Sequence, residues 1–331
     1  MAFPFNFLLL LFLPSLSVLP PTEPKLSLNY YDKSCPKFQE ILERVITDKQ
    51  ISAPSTAAAT LRLFFHDCMV NGCDASILIS SNAFNKAERD TDINLTLAGD
   101  GFDLVTRAKT ALELECPNIV SCSDILVTAT RDLITMVGGP NYPVRLGRKD
   151  SFVSKVEHVD GNIARPTMPL SQIISIFNSK KLSVQEMVAL VGAHTIGFCH
   201  CKEFSHRIYN FSKTSKYDPT YNPKYAEGLR KLCANYTKDL AMAAFNDVRT
   251  PNKFDNMYFQ NLQKGLGLLE SDYALATDKR TKPYVDMYAA NQNKFFQDFA
   301  KAMEKFSIYN VKTGRKGEVR HRCDAFNSIS T

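Results

Sequence analysis

The sequence predicts a mainly α fold, and three observations support that class. Helix-like patterns dominate the chain, two of them begin with a Ser-x-x-acid capping pattern, and strand signals are few and short. With 44% hydrophobic and 22% charged residues among 331, the chain has a globular composition and can bury a large core. No shift in composition marks a second domain, so we expect one domain over residues 26–331.

The N-terminal segment is the first element. An apolar run from Leu8 to Leu13 is too short to span a bilayer, and prolines and small residues follow it through Pro21. This pattern predicts a secretory signal peptide over residues 1–25. Nine cysteines in a secreted chain then predict disulfides, with one cysteine left over. Sequons begin at Asn94, Asn210 and Asn235.

The first predicted helix runs from about Ser55, through an alanine stretch, to Asp67. On it Arg62 and His66 stand at i and i+4, so they share a face. Such a pair can hold a base and a fixed cation over one small reactant. An isolated R-x-x-x-H pattern is more often structural, so the pair gains weight only from the residues that follow it.

The loop after this helix is rich in side-chain oxygens. Asp67, Asp74 and Ser76 lie within a short stretch, Gly72 allows a tight bend, and two cysteines are close enough to staple the loop. Oxygen ligands of this kind suit Ca²⁺. Acidic turns and helix caps have the same composition, and this cluster alone does not separate the two interpretations.

Two further helices follow capping patterns. Ser121 to Asp124 predicts the start of one, which should end at the Gly-Gly-Pro sequence after residue 137. Ser183 to Glu186 predicts the start of the other, with Gly197 just past its end. The spacing i, i+3, i+4, i+7 places four side chains on one face of this last helix: Met187, Leu190, Val191 and His194.

Four segments together carry a family resemblance. The stretch from Arg62 to Ser76 resembles the distal motif of the secretory (class III) plant peroxidases, the horseradish-peroxidase family. Leu190–Gly197 is similar to that family's proximal haem-ligand motif. Asn246–Asn256 and Gly267–Asp272 match two further family segments, and the resemblance extends from Tyr31 to Cys323.

The resemblance implies a haem-peroxidase fold with haem b between a distal and a proximal helix. His194 would bind the iron, and Asp272 would hydrogen-bond its other ring nitrogen, which favours cleavage of the O–O bond. A lone histidine on an apolar helix face is usually structural, but the matching Thr195 and Asp272 favour the ligand. The distal residues implied are the proton carrier His66, the cation Arg62, the orienting pair Asn94 and Glu88, and the aromatic shield Phe65.

The resemblance also implies two calcium ions and four disulfides. The distal calcium ligands would be Asp67, Val70, Gly72, Asp74 and Ser76. The proximal ligands would be Thr195, Asp247, Thr250, Lys253 and Asp255. The disulfides would be Cys35–Cys116, Cys68–Cys73, Cys122–Cys323 and Cys201–Cys233. Cys199 would remain unpaired.

The implied reaction is the reduction of H₂O₂ to water with one-electron oxidation of small phenolic donors. It belongs to cell-wall phenol and lignin-type polymer chemistry and to the oxidative stress response. We expect a secreted, extracellular monomer, with the vacuole as the alternative location. The net charge of +6 makes an anionic wall polysaccharide a candidate partner. We expect no nucleic-acid partner, because basic residues are scattered rather than aligned with aromatics. We expect no membrane partner, because no stretch after the N-terminal one could span a bilayer.

Three features depart from or qualify the family pattern. Ala164 stands where a proline usually offers its carbonyl to aromatic donors at the haem edge. Asn94 is both a sequon and the expected partner of His66, and a glycan there would block the site, so Asn210 is the expected glycosylation site. Tryptophan is absent, which excludes a tryptophan radical and leaves the haem edge or a tyrosine as the route for electrons.

Two functions from other classes compete with this interpretation. The first is a secreted wall-binding protein that keeps the fold but has little turnover, and the full set of haem-site residues argues against it. The second is a secreted zinc hydrolase that uses the cluster of His194, Cys199, His200 and Cys201. No H-E-x-x-H motif supports it, and Cys201 would be claimed by a disulfide.

Overall fold

The structure is a computed structural model that describes residues 25–327. Within this range lie twelve α-helices: α1 Phe38–Ser52, α2 Thr56–Met69, α3 Gly99–Glu115, α4 Cys122–Met136, α5 Leu170–Ser179, α6 Val184–Val191, α7 Cys201–Ile208, α8 Pro223–Leu232, α9 Met257–Leu262, α10 Glu270–Thr277, α11 Lys282–Ala290 and α12 Gln292–Ser307. The predicted mainly α fold is confirmed. The predicted signal peptide falls almost entirely on residues 1–24, outside the described residues.

The strands are few and short, as the sequence predicts. Strand β1 (Phe198–His200) pairs antiparallel with β2 (Ala243–Phe245), with Phe198 opposite Phe245. This ribbon begins four residues after His194 and therefore fixes the chain just beyond the proximal segment. Among residues 25–327, no helix combines the length and the apolar character that crossing a membrane requires.

Two helical groups form the main core. Helix α2 packs against α3 and α4, and α6 packs against α12, while α9 packs against α11. Apolar side chains from all of these helices join one buried cluster. A smaller cluster lies around α7, α8 and the end of β2 and includes the buried Cys201 and Cys233. The main core therefore holds the helix of His66 and the helix that leads to His194.

The capping patterns have different outcomes. At α6 the Ser183 hydroxyl accepts the Glu186 N–H, and the Glu186 carboxylate accepts the Ser183 N–H, so the predicted capping box is complete. At α4 the Ser121 hydroxyl accepts the Asp124 N–H, but the return bond is missing. The Asp124 carboxylate instead accepts from Tyr31 and Arg148 in the core. Only one of the two hydrogen bonds of the predicted capping box therefore forms at α4.

All four disulfides have the pairing that the family resemblance implies: Cys35–Cys116, Cys68–Cys73, Cys122–Cys323 and Cys201–Cys233. Cys199 is the one cysteine of the described chain without a disulfide partner. Because Cys201 is bonded to Cys233, it is not available to a zinc ion.

Candidate active site

Arg62 lies on helix α2, at one side of the candidate site. Helix α2 buries Leu61, Leu63 and Phe64 in the core, which leaves Arg62 in contact with solvent. Its guanidinium donates to the Thr96 carbonyl at 2.7 Å and to the Thr96 hydroxyl at 2.8 Å. Desolvation lowers the pKa of Arg62, but a guanidinium remains charged in proteins. The structure thus holds a fixed cation beside the 93–96 loop.

His66 lies one turn further along α2 and is buried. Its Nδ1 is 2.6 Å from Oδ1 of Asn94. Asn94 Nδ2 donates to the Glu88 carbonyl at 2.7 Å, so its Oδ1 faces the histidine as an acceptor. His66 Nδ1 must therefore carry the proton, and Nε2 has the free lone pair. Burial and the nearby charge of Arg62 lower the pKa of His66 to about 3.

Glu88 joins this network through its backbone. The expected link from Asn94 runs to the Glu88 carbonyl oxygen, whereas the Glu88 carboxylate accepts from the Ser76 hydroxyl at 3.0 Å. One residue thus connects the histidine network to the acidic loop that follows α2.

Phe65 is half-buried and lies next to His66 on α2. Its ring centroid lies 5.9 Å from that of His66 and 5.9 Å from that of Phe177 on α5. Aromatic packing of this kind holds the side chain in one orientation next to the histidine.

His194 lies in a short 3₁₀ segment, Gly192–Thr195, that continues α6. Its Nδ1 is 3.2 Å from Oδ1 of Asp272, and 35% of its side chain is exposed although Gly192 and Thr195 beside it are buried. The ring is therefore partly exposed, although its Asp272 partner is buried. With Nδ1 occupied, Nε2 is the nitrogen available to a metal.

Asp272 is fully buried on α10 and holds three hydrogen bonds. Its Oδ1 accepts from His194 and from the Tyr258 hydroxyl, the latter at 2.7 Å, and its Oδ2 accepts the Leu269 N–H at 2.9 Å. Burial would raise the pKa of Asp272, but the bonds from His194, Tyr258 and Leu269 outweigh it and lower the pKa. The carboxylate is therefore charged where it faces the imidazole.

The chemistry of the donor set fits a haem iron. Among the described residues, no group of three or more histidine, cysteine or acidic side chains could hold a metal ion. His194 instead offers a single imidazole with a carboxylate partner and an open face. Such a donor suits a metal whose remaining ligands come from a macrocycle.

The predicted distal calcium residues lie in the last turn of α2, which contains Asp67, and in the loop that follows it. Asp67 and Asp74 are buried, and Gly72 has a φ of +110°, where a Cβ would lie 2.5 Å from the Asn310 carbonyl oxygen. Burial, together with the nearby charges of Asp67 and Asp74, raises the pKa of Glu88 to about 9. Burial likewise raises the pKa of Asp74 to about 6. The carboxylates of this region therefore lie close together, without enough positively charged side chains nearby to compensate their negative charge.

Val70 completes this distal set as the buried residue that ends α2. Ser76 is buried as well, and its backbone N–H donates to Oδ1 of Asp74 at 3.2 Å. The five predicted distal residues therefore lie between the last turn of α2 and the 3₁₀ turn that begins at Ser76.

The predicted proximal calcium residues also converge. The Thr195 hydroxyl is 3.4 Å from the Lys253 carbonyl and 3.4 Å from Oδ1 of Asp255. The Thr250 hydroxyl is 3.1 Å from the same Asp255 oxygen and 3.2 Å from Oδ2 of Asp247. Contacts of 3.1–3.4 Å thus link five oxygen atoms of the predicted set in the region directly after His194.

Ala164 lies in a segment that contacts two other parts of the chain. The neighbouring Arg165 pairs with Asp92 at 3.1 Å, two residues before Asn94. The Pro166 carbonyl accepts the Ser271 N–H at 3.1 Å, next to Asp272. The half-buried Ala164 therefore precedes two residues that contact the chain close to Asn94 and Asp272.

Sequence reasoning missed two residues of this site. Thr96 holds Arg62, and Tyr258 donates to Asp272. Thr96 carried one signal, because it is the threonine of the sequon that begins at Asn94. Tyr258 carried none beyond its position shortly after the acidic segment that ends at Asp255.

The comparisons with known proteins agree on one family. The family model described as Peroxidase matches residues 39–291. Among curated proteins, Peroxidase 6 of Arabidopsis thaliana is 64% identical over 303 residues, covering 91% of this chain and 92% of the relative. Peroxidase 63 of the same plant is 58% identical over 320 residues, covering 97% and 96%. Peroxidase 31 is 59% identical, covering 92% and 94%.

Proposed function

This chain belongs to the peroxidase family and is a haem-dependent peroxidase, and from that premise we propose that it reduces H₂O₂ with electrons from small phenols. Two donor molecules would each lose one electron for every peroxide reduced to water. The observation that carries the residue assignments is the pair of oriented histidines, His66 with Asn94 and His194 with Asp272.

His66 is the proposed proton carrier. Peroxide must lose a proton from one oxygen and regain it on the other before the bond between them breaks. The Nε2 of His66 can accept that proton because Asn94 fixes the tautomer and because the lowered pKa keeps the ring neutral at ordinary pH. Asn94 is therefore the orienting residue, and the Glu88 carbonyl orients Asn94.

Arg62 is the proposed electrostatic residue. Negative charge develops on the departing oxygen, and a preorganised guanidinium in a partly desolvated position stabilises it. Thr96 holds the guanidinium in place through two hydrogen bonds. Phe65 would limit access from this side, so that bulky donors react at the edge near Ala164.

His194 would bind the iron of haem b. Haem bound by His194 would supply the redox chemistry that the reduction of peroxide requires. Asp272 draws on the Nδ1 proton of His194 and gives the ring partial imidazolate character, which strengthens it as a ligand.

Two calcium ions are part of the proposal. One would be bound by Asp67, Asp74 and Ser76 with the carbonyls of Val70 and Gly72, where carboxylates are crowded and their pKa values are raised. The other would be bound by the proximal set around Thr195 and Asp255. Each ion adjoins one histidine segment, so its role would be positional.

The biological setting follows the same family pattern. We propose a secreted, cell-wall location, with a monomer that acts on phenolic and lignin-type polymer precursors. Four disulfides are consistent with an oxidising compartment. Asn210 is exposed and suits a glycan, whereas Asn94 is buried with both amide atoms in hydrogen bonds.

The experiment that tests this function compares His66→Ala with wild type in stopped-flow reaction with H₂O₂. We expect the haem absorption band to persist and the second-order rate constant to fall about 10²–10⁴-fold, the usual contribution of general acid–base catalysis. His321→Ala, which removes an exposed histidine, is the matched control and should react normally. A His66→Ala variant with the wild-type rate would contradict the assignment, and a wild type that binds haem but hardly reacts would favour the wall-binding protein.

A further inference from the structure

Tyr258 is the second donor to the carboxylate that supports His194. Its hydroxyl donates to Oδ1 of Asp272 at 2.7 Å, and the same oxygen accepts from His194 Nδ1 at 3.2 Å. The two rings are perpendicular, with centroids 5.8 Å apart. Tyr258 is completely buried, so water does not compete for this bond.

The surroundings fix this arrangement rigidly. A Cβ at Gly192 would lie 2.5 Å from the Phe295 ring and 2.8 Å from the Phe259 ring, so the histidine segment is pressed directly against α9 and α12. Phe259 follows Tyr258 on α9. The other oxygen of Asp272 is held by the Leu269 N–H. Neither the tyrosine nor the carboxylate can therefore turn away without disturbing the core.

Two donors on one carboxylate oxygen compete for its charge. The closer phenol takes the larger share, and the bond from His194 is correspondingly longer. A carboxylate that is already neutralised in part draws less strongly on the Nδ1 proton of His194, and the ring then has less imidazolate character.

We propose that Tyr258 is a positioning residue that limits the imidazolate character of His194 and so raises the reduction potential of the bound haem. This inference rests on the proposed role of His194 as the iron ligand. The tyrosine acts through Asp272 and touches neither peroxide nor donor.

The test uses the haem-loaded, full-length protein and the Tyr258→Phe variant. Removing the hydroxyl leaves Asp272 to His194 alone, so the iron–histidine stretching band of the ferrous protein should move to higher frequency. The midpoint potential of the Fe(III)/Fe(II) couple should move to a lower value. Tyr288→Phe is the matched control, because Tyr288 is also buried and donates to a carboxylate, that of Asp298 at 2.9 Å, away from His194.

Three outcomes would overturn the proposal. A Tyr258→Phe band and potential equal to those of wild type and Tyr288→Phe would show that the phenol has no influence on the ligand. Wild-type protein without any iron–histidine band would instead refute the assignment of His194, and the role of Tyr258 with it. If Tyr258→Phe does not take up haem, a fluorotyrosine incorporated at 258 provides the second measurement. Its more acidic hydroxyl must shift the band down and the potential up, and no shift would overturn the proposal.

Discussion

Individual residues of the site could be predicted where a motif fixes them. Helical spacing put Arg62 and His66 on one face, and the family resemblance gave them their roles. The resemblance also placed Asn94 beside His66, where the structure shows 2.6 Å between the two side chains. Thr96 and Tyr258 could not be predicted, because each acts through a contact between distant parts of the chain that no local spacing encodes. The link through the Glu88 carbonyl was invisible for a similar reason, since sequence patterns describe side chains and not backbone groups.

Cys199 gives a prediction at this scale. Its thiol is half-buried, and desolvation together with the charge of Glu203 raises its pKa to about 12. At pH 8 the thiolate fraction would then be about 10⁻⁴, whereas a cysteine of pKa about 8.5 is about one quarter ionised. Because the neutral thiol is favoured in the folded state, the associated stability is present below about pH 9 and is lost as the pH rises through about 12.

We therefore expect slow alkylation of native Cys199 by iodoacetamide from pH 7 to 9, with a rate that increases toward higher pH. One thiol per chain should react after denaturation without reductant, as counted by mass spectrometry. Cys199→Ser should have near-normal peroxidase activity. Rapid labelling of the native protein at pH 8 would show that the thiol is ionised, and no thiol after denaturation would indicate a dimer or an adduct.

Helices and loops show where local chemistry is sufficient and where it is not. The capping box at Ser183 forms completely because Glu186 has solvent on its other side and a lysine, Lys305, as its only further partner among the described hydrogen bonds. At α4 only one of the two cap hydrogen bonds forms, because the Asp124 carboxylate pairs with the buried guanidinium of Arg148. A buried guanidinium without its partner costs more free energy than one lost cap hydrogen bond. The ion pair in the core therefore forms in preference to the complete capping box.

The two oxygen-rich loops carry the prediction at the scale of elements. A ligand that binds only the native state stabilises it by about 2.7 kcal/mol at one hundred times its dissociation constant. Excess EGTA should therefore lower the melting temperature and the turnover, while the haem absorption spectrum shows that iron is retained. Added Ca²⁺ should restore both, and equimolar Mg²⁺ should restore neither, because it prefers a tighter octahedral site.

Asp255→Asn and Asp74→Asn separate the two loops. Each removes charge from one predicted ligand set, so each variant should retain part of the response to EGTA. An identical melting temperature and activity with and without the chelator would mean that the clusters serve only as turns and caps, in which the hydrogen bonds within each loop are sufficient.

At the scale of the whole molecule, local sequence patterns predicted the fold class but not the pairing of the cysteines. The mainly α class followed from periodicity and caps, which are local properties. Spacing alone could not choose among the possible cysteine pairings, and only the family resemblance gave the four that the structure contains. The division of the apolar residues into a main core and a smaller cluster around Cys201 and Cys233 depends on tertiary packing and had no signal in the sequence.

Two of these disulfides provide the prediction at this scale. Cys122–Cys323 joins residues 201 apart within the main core, whereas Cys201–Cys233 joins residues 32 apart in the smaller cluster. Both pairs are buried, so replacing each pair by two alanines leaves comparable cavities and removes the same number of sulfur atoms. The main difference between the two variants is then the chain entropy that the cross-link removes from the unfolded state, which grows with the logarithm of the loop length.

We therefore expect the Cys122→Ala/Cys323→Ala variant to lose about 1.6 kcal/mol more unfolding free energy than Cys201→Ala/Cys233→Ala. Urea unfolding under oxidising conditions measures both values, and equal dependence on denaturant in the two variants confirms that the same surface is exposed. A larger loss from the short loop would mean that the smaller cluster depends on its disulfide in the folded state. That outcome is physically reasonable for α7 and α8, since their cluster has far fewer buried apolar side chains than the main core. The sign of the difference thus decides whether the cross-links act mainly on the unfolded chain or on the packing of the native protein.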